Sequence, residues 1–180
     1  MFVQVEKTPN PNSLKFLPGR KVSEVGPVEV LDVNKSENEL IKNILLIRGV
    51  RGVFLYEDFL SVNKNNDYDW PDLKHIIISY INDFYSKGYE SVLSKEIDSK
   101  DDKLISEIEK KIINVLETKV RPAVAKDGGD ISFKSFKEGI VTVKLQGSCS
   151  GCPSSTITLK RGVENLLSHY VPEVKQVISI

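Results

Sequence analysis

The chain has 180 residues, and its 25 basic side chains balance 25 acidic ones, so the formal net charge is zero. A neutral chain has no overall positive field to attract nucleic acid or an anionic membrane, and neither partner is expected. No apolar run reaches the roughly 20 residues needed to cross a bilayer. Two cysteines are too few for a disulfide framework. The composition favours a soluble protein of a reducing compartment, with one domain or two small ones.

The first part of the chain predicts several short strands. Residues 2–5 and 14–17 are β-prone runs, and the TPNPN sequence at 8–12 between them is typical of a tight turn. A further strand is predicted in 28–33, and a hairpin in 53–62, where two apolar runs flank an acidic pair. The turn at 8–12 is interpreted as a hairpin corner, and a functional loop is the less favoured alternative.

Two amphipathic helices are predicted in the same part of the chain. Ser36 with Glu39 three residues later matches a capping box, and apolar residues repeat at helical spacing after it. The second helix is predicted to begin at Asp69 and to carry an apolar stripe as far as Phe84. Trp70, at its start, is interpreted as a half-buried anchor, with contact to a partner as the alternative.

A polar stretch divides the chain into two predicted domains. Residues 88–100 are mostly polar and of mixed charge, which favours a linker between a first domain at 1–87 and a second at 101–180. The predicted fold class is α/β (α+β). Each small domain is expected to be a short β-sheet covered by two helices.

The second domain is predicted to run helix, hairpin, helix, strand. Its first helix begins near Asp101, is kinked but not ended by Pro122, and stops at the Asp-Gly-Gly-Asp sequence of 127–130. That sequence is interpreted as a turn and not as a site. Alternating apolar residues at 131–145 predict the hairpin, and a helix over 154–171 precedes a last strand.

Both cysteines lie in the sequence LQGSCSGCPSS at 145–155, between the hairpin and the helix that follows it. Thiolates are nucleophiles and soft-metal ligands, so Cys149 and Cys152 can share a metal or form a redox pair. A closed zinc or iron–sulfur site usually takes four ligands, and the chain has no third cysteine. The count favours a site shared between two chains, or a dithiol without metal.

Three functions for the cysteine pair follow from the residues alone. They are a thiol–disulfide oxidoreductase, a zinc site bridged by two chains, and an iron–sulfur cluster bridged in the same way. The positive end of the following helix is expected to lower the pKa of the thiols. A thioredoxin-like dithiol is disfavoured because the preceding strand belongs to a hairpin and not to a βαβ unit, and because Pro153 follows the second cysteine.

No other group of residues predicts chemistry. His75 and His169 each lie in a predicted helix without a second ligand at suitable spacing, so both are interpreted as structural. No nucleophile–base order, phosphate-binding loop or pair of carboxylates rises above chance. The chain is therefore not expected to be an enzyme.

Several segments resemble one known family. Val-Arg-Pro at 120–122, followed by Asp-Gly-Gly-Asp at 127–130 and by 145–155, resembles the C-terminal domain of NifU, the Nfu type. Residues 8–19 and 52–62 resemble the N-terminal domain that accompanies it in Nfu proteins. Together the two resemblances cover nearly the whole chain except the linker.

The resemblance implies an iron–sulfur scaffold or carrier. In such a protein Cys149 and Cys152 would supply half the ligands of a [4Fe–4S] cluster held between two subunits, and the cluster would pass to apo-proteins. The implied partners are a second copy, apo iron–sulfur targets and upstream cluster-assembly proteins. Residues 1–86 are expected to dock some of these partners. The bacterial cytoplasm is the expected location, with the mitochondrial matrix as the alternative.

Overall fold

The computed structural model describes residues 2–94, 105–151 and 153–180, and for 153–155 it describes the backbone alone. The chain divides into two compact units, Met1–Ile97 and Asp98–Ile180. Each unit is a mixed α/β structure with its own sheet and apolar core, which confirms the predicted fold class. Among the described helices, none is long and apolar enough to cross a membrane.

The first unit is built on an antiparallel sheet. Within residues 2–94 its strands are β1 (Gln4–Lys7), β2 (Ser13–Leu17), β3 (Val28–Val30), β4 (Val50–Leu55) and β5 (Leu60–Lys64), in the order β1-β2-β5-β4-β3. Helices α1 (Glu39–Leu45) and α2 (Trp70–Ser86) complete the unit. Their buried side chains, such as Ile44 and Ile77, belong to the same core as Phe16 and Val62 of the sheet. The predicted hairpins 2–17 and 53–62 are both present.

Helix α1 is capped by a different residue from the one predicted. The Asn38 side chain accepts hydrogen bonds from the backbone N–H groups of Leu40 (2.9 Å) and Ile41 (3.2 Å). Ser36 instead accepts one from the N–H of Asn38, at 3.2 Å. The predicted Ser36–Glu39 capping box is therefore wrong, because the helix begins at Glu39 itself and leaves Ser36 outside its first turn.

The predicted linker overlaps the first unit. Val92 is buried in its core, and Leu93 pairs with Ser23 in an isolated β-bridge. Residues 95–104 lie outside the described part of the chain. The domain limits given above remain predictions.

The second unit places two helical segments and a long helix against a smaller sheet. Within residues 105–151 and 153–180 its elements are α3 (Glu107–Val115), a π-helical turn (Leu116–Val120), α4 (Arg121–Lys126), β6 (Gly129–Lys137), β7 (Ile140–Gly147), α5 (Pro153–Tyr170) and β8 (Gln176–Ser179). The sheet order is β6-β7-β8, with β6 and β7 antiparallel and β7 and β8 parallel. The predicted order of helix, hairpin, helix and strand is confirmed.

The parallel pairing corrects one argument from the sequence. Because α5 connects β7 to the parallel strand β8, the cysteine loop lies at the strand-to-helix turn of a βαβ unit as well as at the end of a hairpin. The absence of a βαβ unit was one of the two reasons given against a thioredoxin-like dithiol, and that reason is wrong, whereas the position of Pro153 after the second cysteine is unaffected. The choice between metal and redox chemistry must rest on the site itself.

The helices of the second unit differ from the prediction at their ends. The predicted start near Asp101 lies outside the described residues, and α3 begins after Ser106, which forms a capping box with Glu109. The helical path runs from α3 through the π-helical turn into α4, and it continues past Pro122 as predicted. At the end of α5 Tyr170 is 49% exposed, whereas Leu167, one turn earlier, is fully buried.

Candidate metal centre

Hydrogen bonds hold the cysteine loop on both sides. The backbone N–H of Ser148 donates to the carbonyl of Gly128 (3.2 Å), and the Ser148 hydroxyl donates to the carbonyl of Asp127. On the other side Thr156, in the first turns of α5, donates through Oγ1 to the carbonyl of Cys149 (3.3 Å). The loop is therefore fixed to the turn before β6 and to the start of α5.

Two glycines give the loop its conformation. Gly147 and Gly151 have φ values of +66° and +79°, the left-handed region that other residues rarely adopt. Ser150 bridges the first of these turns, with its N–H and its hydroxyl both donating to the carbonyl of Gly147 at 3.2 and 2.9 Å. A side chain at either glycine would strain a loop whose shape positions a thiol.

The Asp-Gly-Gly-Asp sequence forms one wall of the thiol site. The predicted turn is present, since Gly128 has a φ of +82° and β6 begins at the next residue. A Cβ atom built on Gly129 would lie 2.5 Å from Cys149 Sγ and 2.8 Å from the carbonyl oxygen of Gln146. Only a glycine lets the backbone approach the thiol so closely. The interpretation as a turn alone missed this contact, because the sequence does not show which loop lies opposite.

The thiol of Cys149 is buried and protonated at neutral pH. Its residue is 9% exposed, belongs to the core of the second unit and forms no disulfide. Burial raises its pKa to about 11, a hydrogen bond with Ser148 lowers it, and the nearby carboxylates of Asp127 and Asp130 raise it further. For Cys149 the expected lowering of the pKa is therefore wrong, because burial is the largest cause of the shift and raises the pKa.

A buried ion pair involves the last residue of this Asp-Gly-Gly-Asp segment. Asp130 is completely buried, and its two oxygens accept hydrogen bonds from Nε (2.9 Å) and NH2 (3.1 Å) of Arg121. Arg121 also donates to Glu117 at 2.6 Å. Burial alone would lower the pKa of Arg121, but the hydrogen bonds with the two carboxylates raise it above its ordinary value. The pair ties the start of α4 to the start of β6, one residue from Gly129.

Sequence analysis did not find this pair. Arg121 was noted only in a family resemblance, and Asp130 only there and in the predicted turn, since a separation of nine positions gives no periodic signal for a contact. The π-helical turn, which ends at Val120, precedes Arg121 and sets the angular position from which its side chain reaches Asp130. No pattern in the sequence predicts such a turn.

The other candidate residues of the sequence analysis are Cys152, His75 and His169. Cys152 lies outside the described residues. His75 is an exposed residue of α2 in the first unit, with Nδ1 2.9 Å from the carbonyl of Pro71. His169 is exposed near the far end of α5, beside the ring of Tyr170. Among the described residues, no group of three or more His, Cys, Asp or Glu side chains could hold a metal ion.

The fold and the loop define a class of protein, a two-unit α/β protein with a buried cysteine, Cys149, in the turn between a strand and a helix. Comparison with protein families agrees with this class. A family described as "NifU-like domain" matches residues 112–178, and one described as "Scaffold protein Nfu/NifU N terminal" matches residues 3–88. The chain belongs to the NifU-like family of iron–sulfur cluster scaffold proteins.

Individual relatives are similar along nearly the whole chain. The identity is 45% to "NifU-like protein 4, mitochondrial" of Arabidopsis thaliana, over 98% of this chain and 65% of that protein. It is 43% to "NFU1 iron-sulfur cluster scaffold homolog, mitochondrial" of Homo sapiens, over 98% of this chain and 71% of that protein. The chain thus spans about two thirds of the length of these relatives. Both names state a mitochondrial location, which matches the alternative to the cytoplasmic expectation.

One similar solved structure is the NMR structure of a NifU-like protein from Saccharomyces cerevisiae. Its sequence identity is 27% and its TM-score 0.48, and the match covers 53% of this chain and 87% of that one.

Proposed function

We propose that the chain carries a [4Fe–4S] cluster between two copies of itself, bound by Cys149 and Cys152 of each, and passes it to apo-proteins. The observation that carries this proposal is a buried thiol in a preformed loop of a chain that has two cysteines in all. Two thiolates are half of the usual ligand set of such a cluster, so a second copy completes it.

The cluster is the cargo of this protein, and the loop supplies what the cargo needs. A thiol must lose its proton before it can bind iron, so loading at Cys149 releases a proton into solution. Gly129 leaves the sulfur free of any side chain behind it. The Arg121–Asp130 pair holds β6 in place while this exchange occurs.

Release is proposed to occur by ligand exchange. A target's thiolates replace those of the carrier one at a time, which requires an approach from solvent. Gly151, between the two cysteines, is exposed, so the motif has one open side. In this scheme the bonds between iron and the cysteine sulfurs form on loading and are exchanged for bonds to the target's thiolates on release, with no other reaction of the cargo, so the protein acts as a carrier and not as an enzyme.

The partners follow from the same scheme. The chain would form a homodimer when loaded, receive the cluster from upstream assembly proteins and deliver it to apo iron–sulfur proteins. Its location would be the compartment where those targets fold, either a bacterial cytoplasm or, as the names of the relatives favour, the mitochondrial matrix.

The oxidoreductase is the second candidate, and one observation weighs against it. Disulfide exchange requires attack by a thiolate, and reactive cysteines typically have a lowered pKa and access to solvent. Cys149 has a raised pKa and is 9% exposed. The βαβ position of the loop remains the one feature that this alternative shares with thioredoxin-like motifs.

The test is anaerobic reconstitution with iron and sulfide, followed by native mass spectrometry and Mössbauer spectroscopy. The expected result is a dimer with one [4Fe–4S] cluster, lost in Cys149→Ala and in Cys152→Ala. Lys134→Ala, an exposed change on β6, is the control that should load normally. A monomer that cycles a Cys149–Cys152 disulfide without binding iron would establish the oxidoreductase. A dimer that retains zinc and refuses iron would establish a structural metal site.

A further inference from the structure

The first unit contains an apolar groove that the cluster chemistry does not use. It has a volume of about 720 Å³ and lies between the β1–β2 turn and the start of α2. Its walls come from four segments, namely β1 with Val5 and Lys7, the turn 8–11, the start of β2 at 13–14, and the first turns of α2 with Trp70, Pro71 and Lys74. We propose that this groove binds an extended acidic segment of a partner protein, added as a strand to the open edge of β1.

The geometry of the sheet carries the first step. Within the described residues β1 pairs with β2 and with no other strand, so its outer side is a sheet edge. Every second residue of an edge strand points its backbone N–H and C=O away from the sheet, where they can pair with an added strand. A segment added there would project alternate side chains onto the same face as Val5 and Lys7, which is the face that opens into the groove.

The second step concerns Trp70. Its indole N–H donates to the carbonyl of Pro11 at 2.9 Å, which fixes the ring beside the β1–β2 turn while leaving it half-buried. The ammonium group of Lys64 lies 5.7 Å from the ring centroid. A large aromatic side chain that is already immobile gains contact area with little loss of conformational entropy, which makes it a good anchor for a partner's apolar side chain.

The charge of the groove selects the partner. Lys7 and Lys74 line it, no acidic residue does, and neither lysine forms an ion pair among the described residues. Other lysines of this unit, such as Lys42 and Lys87, have carboxylate partners. Two unpaired ammonium groups on one groove attract a negatively charged segment and repel a basic one. The occupant is therefore an extended peptide in which acidic residues alternate with apolar ones.

This inference rests on the expectation that the first unit docks partners, but it does not depend on the cluster. The probe is a displayed library of random peptides of roughly twelve residues, long enough for one strand. Peptides are selected on the full-length protein and counter-selected on the Lys7→Glu/Lys74→Glu variant. Enrichment of sequences that combine acidic and apolar residues is the expected result. The proposal would be overturned if basic sequences were enriched. It would also be overturned if no selected peptide bound the unchanged protein better than the variant.

Binding of the selected peptides is then measured through Trp70, whose fluorescence reports on the groove alone because it is the only tryptophan in the chain. The groove variant should bind at least about tenfold more weakly, and added salt should weaken binding to the unchanged protein. Lys21→Glu/Lys35→Glu changes two exposed lysines of the same unit outside the groove and should bind normally. Equal loss in both variants would contradict the proposed site.

Two further comparisons complete the test. The first asks whether the peptide binds as an added strand, and the second asks whether its binding is independent of the cluster. Peptides N-methylated at alternate residues cannot pair along one edge and should lose binding, whereas unchanged affinity would refute the added strand. Cys149→Ala should bind peptide normally. If that variant loses its cluster and still binds the peptide, cluster binding and peptide binding are independent, and each proposal is tested by its own measurement.

Discussion

The two units distribute their buried polar groups differently. Among the described residues of the first unit, buried polar side chains such as Asn10, Ser23 and Lys64 are scattered over turns and strand ends. In the second unit Asp130, Gln146 and Ser148 are all buried close to Cys149. Burying polar groups is unfavourable unless they are hydrogen-bonded. Their concentration in one place therefore indicates that the second unit is built around its loop, whereas the first is built around its apolar core.

The groove of the first unit and the cysteine loop of the second also differ in how much of the buried structure depends on them. The groove of the first unit lies over a continuous apolar core, so its lysines can change without breaking a buried contact. The cysteine loop packs against Gly129, where a side chain would overlap the thiol, and close to the buried ion pair of Arg121 and Asp130. Changes in the second unit should therefore affect stability and site together, whereas those in the first should affect stability or docking alone.

The largest expected effect is that of Arg121→Ala. It leaves the fully buried carboxylate of Asp130 without its partner, so the free energy of unfolding of the second unit should fall by about 3–5 kcal/mol. Denaturant unfolding followed by the NMR signals of β7 measures this. Lys110→Ala, which removes the exposed pair with Glu107, should cost no more than about 1 kcal/mol. Equal costs for the two changes would show that the buried pair is not important.

The matching change in the first unit is Ile77→Ala. Ile77 is fully buried in the core formed by α2 and the sheet, so truncation leaves a cavity and should lower the free energy of unfolding by about 2–5 kcal/mol. The folded variant should still load iron and sulfide like the unchanged protein. Loss of loading at a temperature where the variant is folded would contradict the division of roles between the units.

A smaller effect is expected for Gly129→Ala. The added methyl group would overlap Cys149 Sγ and the carbonyl of Gln146, so the loop must shift at a cost of about 1–3 kcal/mol. Gly162→Ala is the matched control, because a Cβ there has no neighbour within 4 Å, and removing a helical glycine should be neutral or stabilising. Thermal unfolding and cluster loading measure both variants. Normal loading by Gly129→Ala would show that the close approach is dispensable.

The pH dependence of the first unit should show an effect of about 1–2 kcal/mol from Tyr85. Its buried hydroxyl donates to the carbonyl of Lys21 (2.8 Å), and burial raises its pKa to about 12 while the charge of Arg20 lowers it. Because the unfolded chain ionises first, this contribution is complete below pH 10 and falls between about pH 10 and about pH 12. In urea unfolding, the pH profiles of the unchanged protein and of Tyr85→Phe should run parallel below this window, and within it only the unchanged protein should lose this stability. Profiles that stay parallel through the window would refute the assignment.

The smallest expected effect concerns the rate at which Cys149 is alkylated and does not involve the stability of the fold. In a Cys152→Ser variant, alkylation of metal-free Cys149 should keep accelerating with pH until about pH 11, since only the thiolate reacts. An ordinary exposed cysteine stops accelerating well below that pH. A plateau near neutral pH would mean an activated thiol, and would restore the oxidoreductase as the better explanation.

Local patterns in the sequence were sufficient for much of this protein. Strand alternation predicted the β6–β7 hairpin, helical spacing predicted α2, and the count of two cysteines predicted an incomplete ligand set at Cys149 and Cys152. The hairpin and the helix are confirmed because hydrophobic periodicity is a property of the chain itself, whereas the ligand set stays a prediction. The caps of α1 and α3 were missed, because several serine, asparagine and aspartate residues compete for such positions and the packed helix selects one.

The tertiary structure decided the character of the site. Whether the thiol of Cys149 is activated depends on how far it is removed from water, and only the packed core shows that burial raises its pKa. The approach of Gly129 to the sulfur and the pairing of Arg121 with Asp130 join segments that the sequence separates by many residues. The edge of β1 and the groove beside it exist only once the strand order is set. Such contacts depend on distances between elements, which local sequence patterns do not encode.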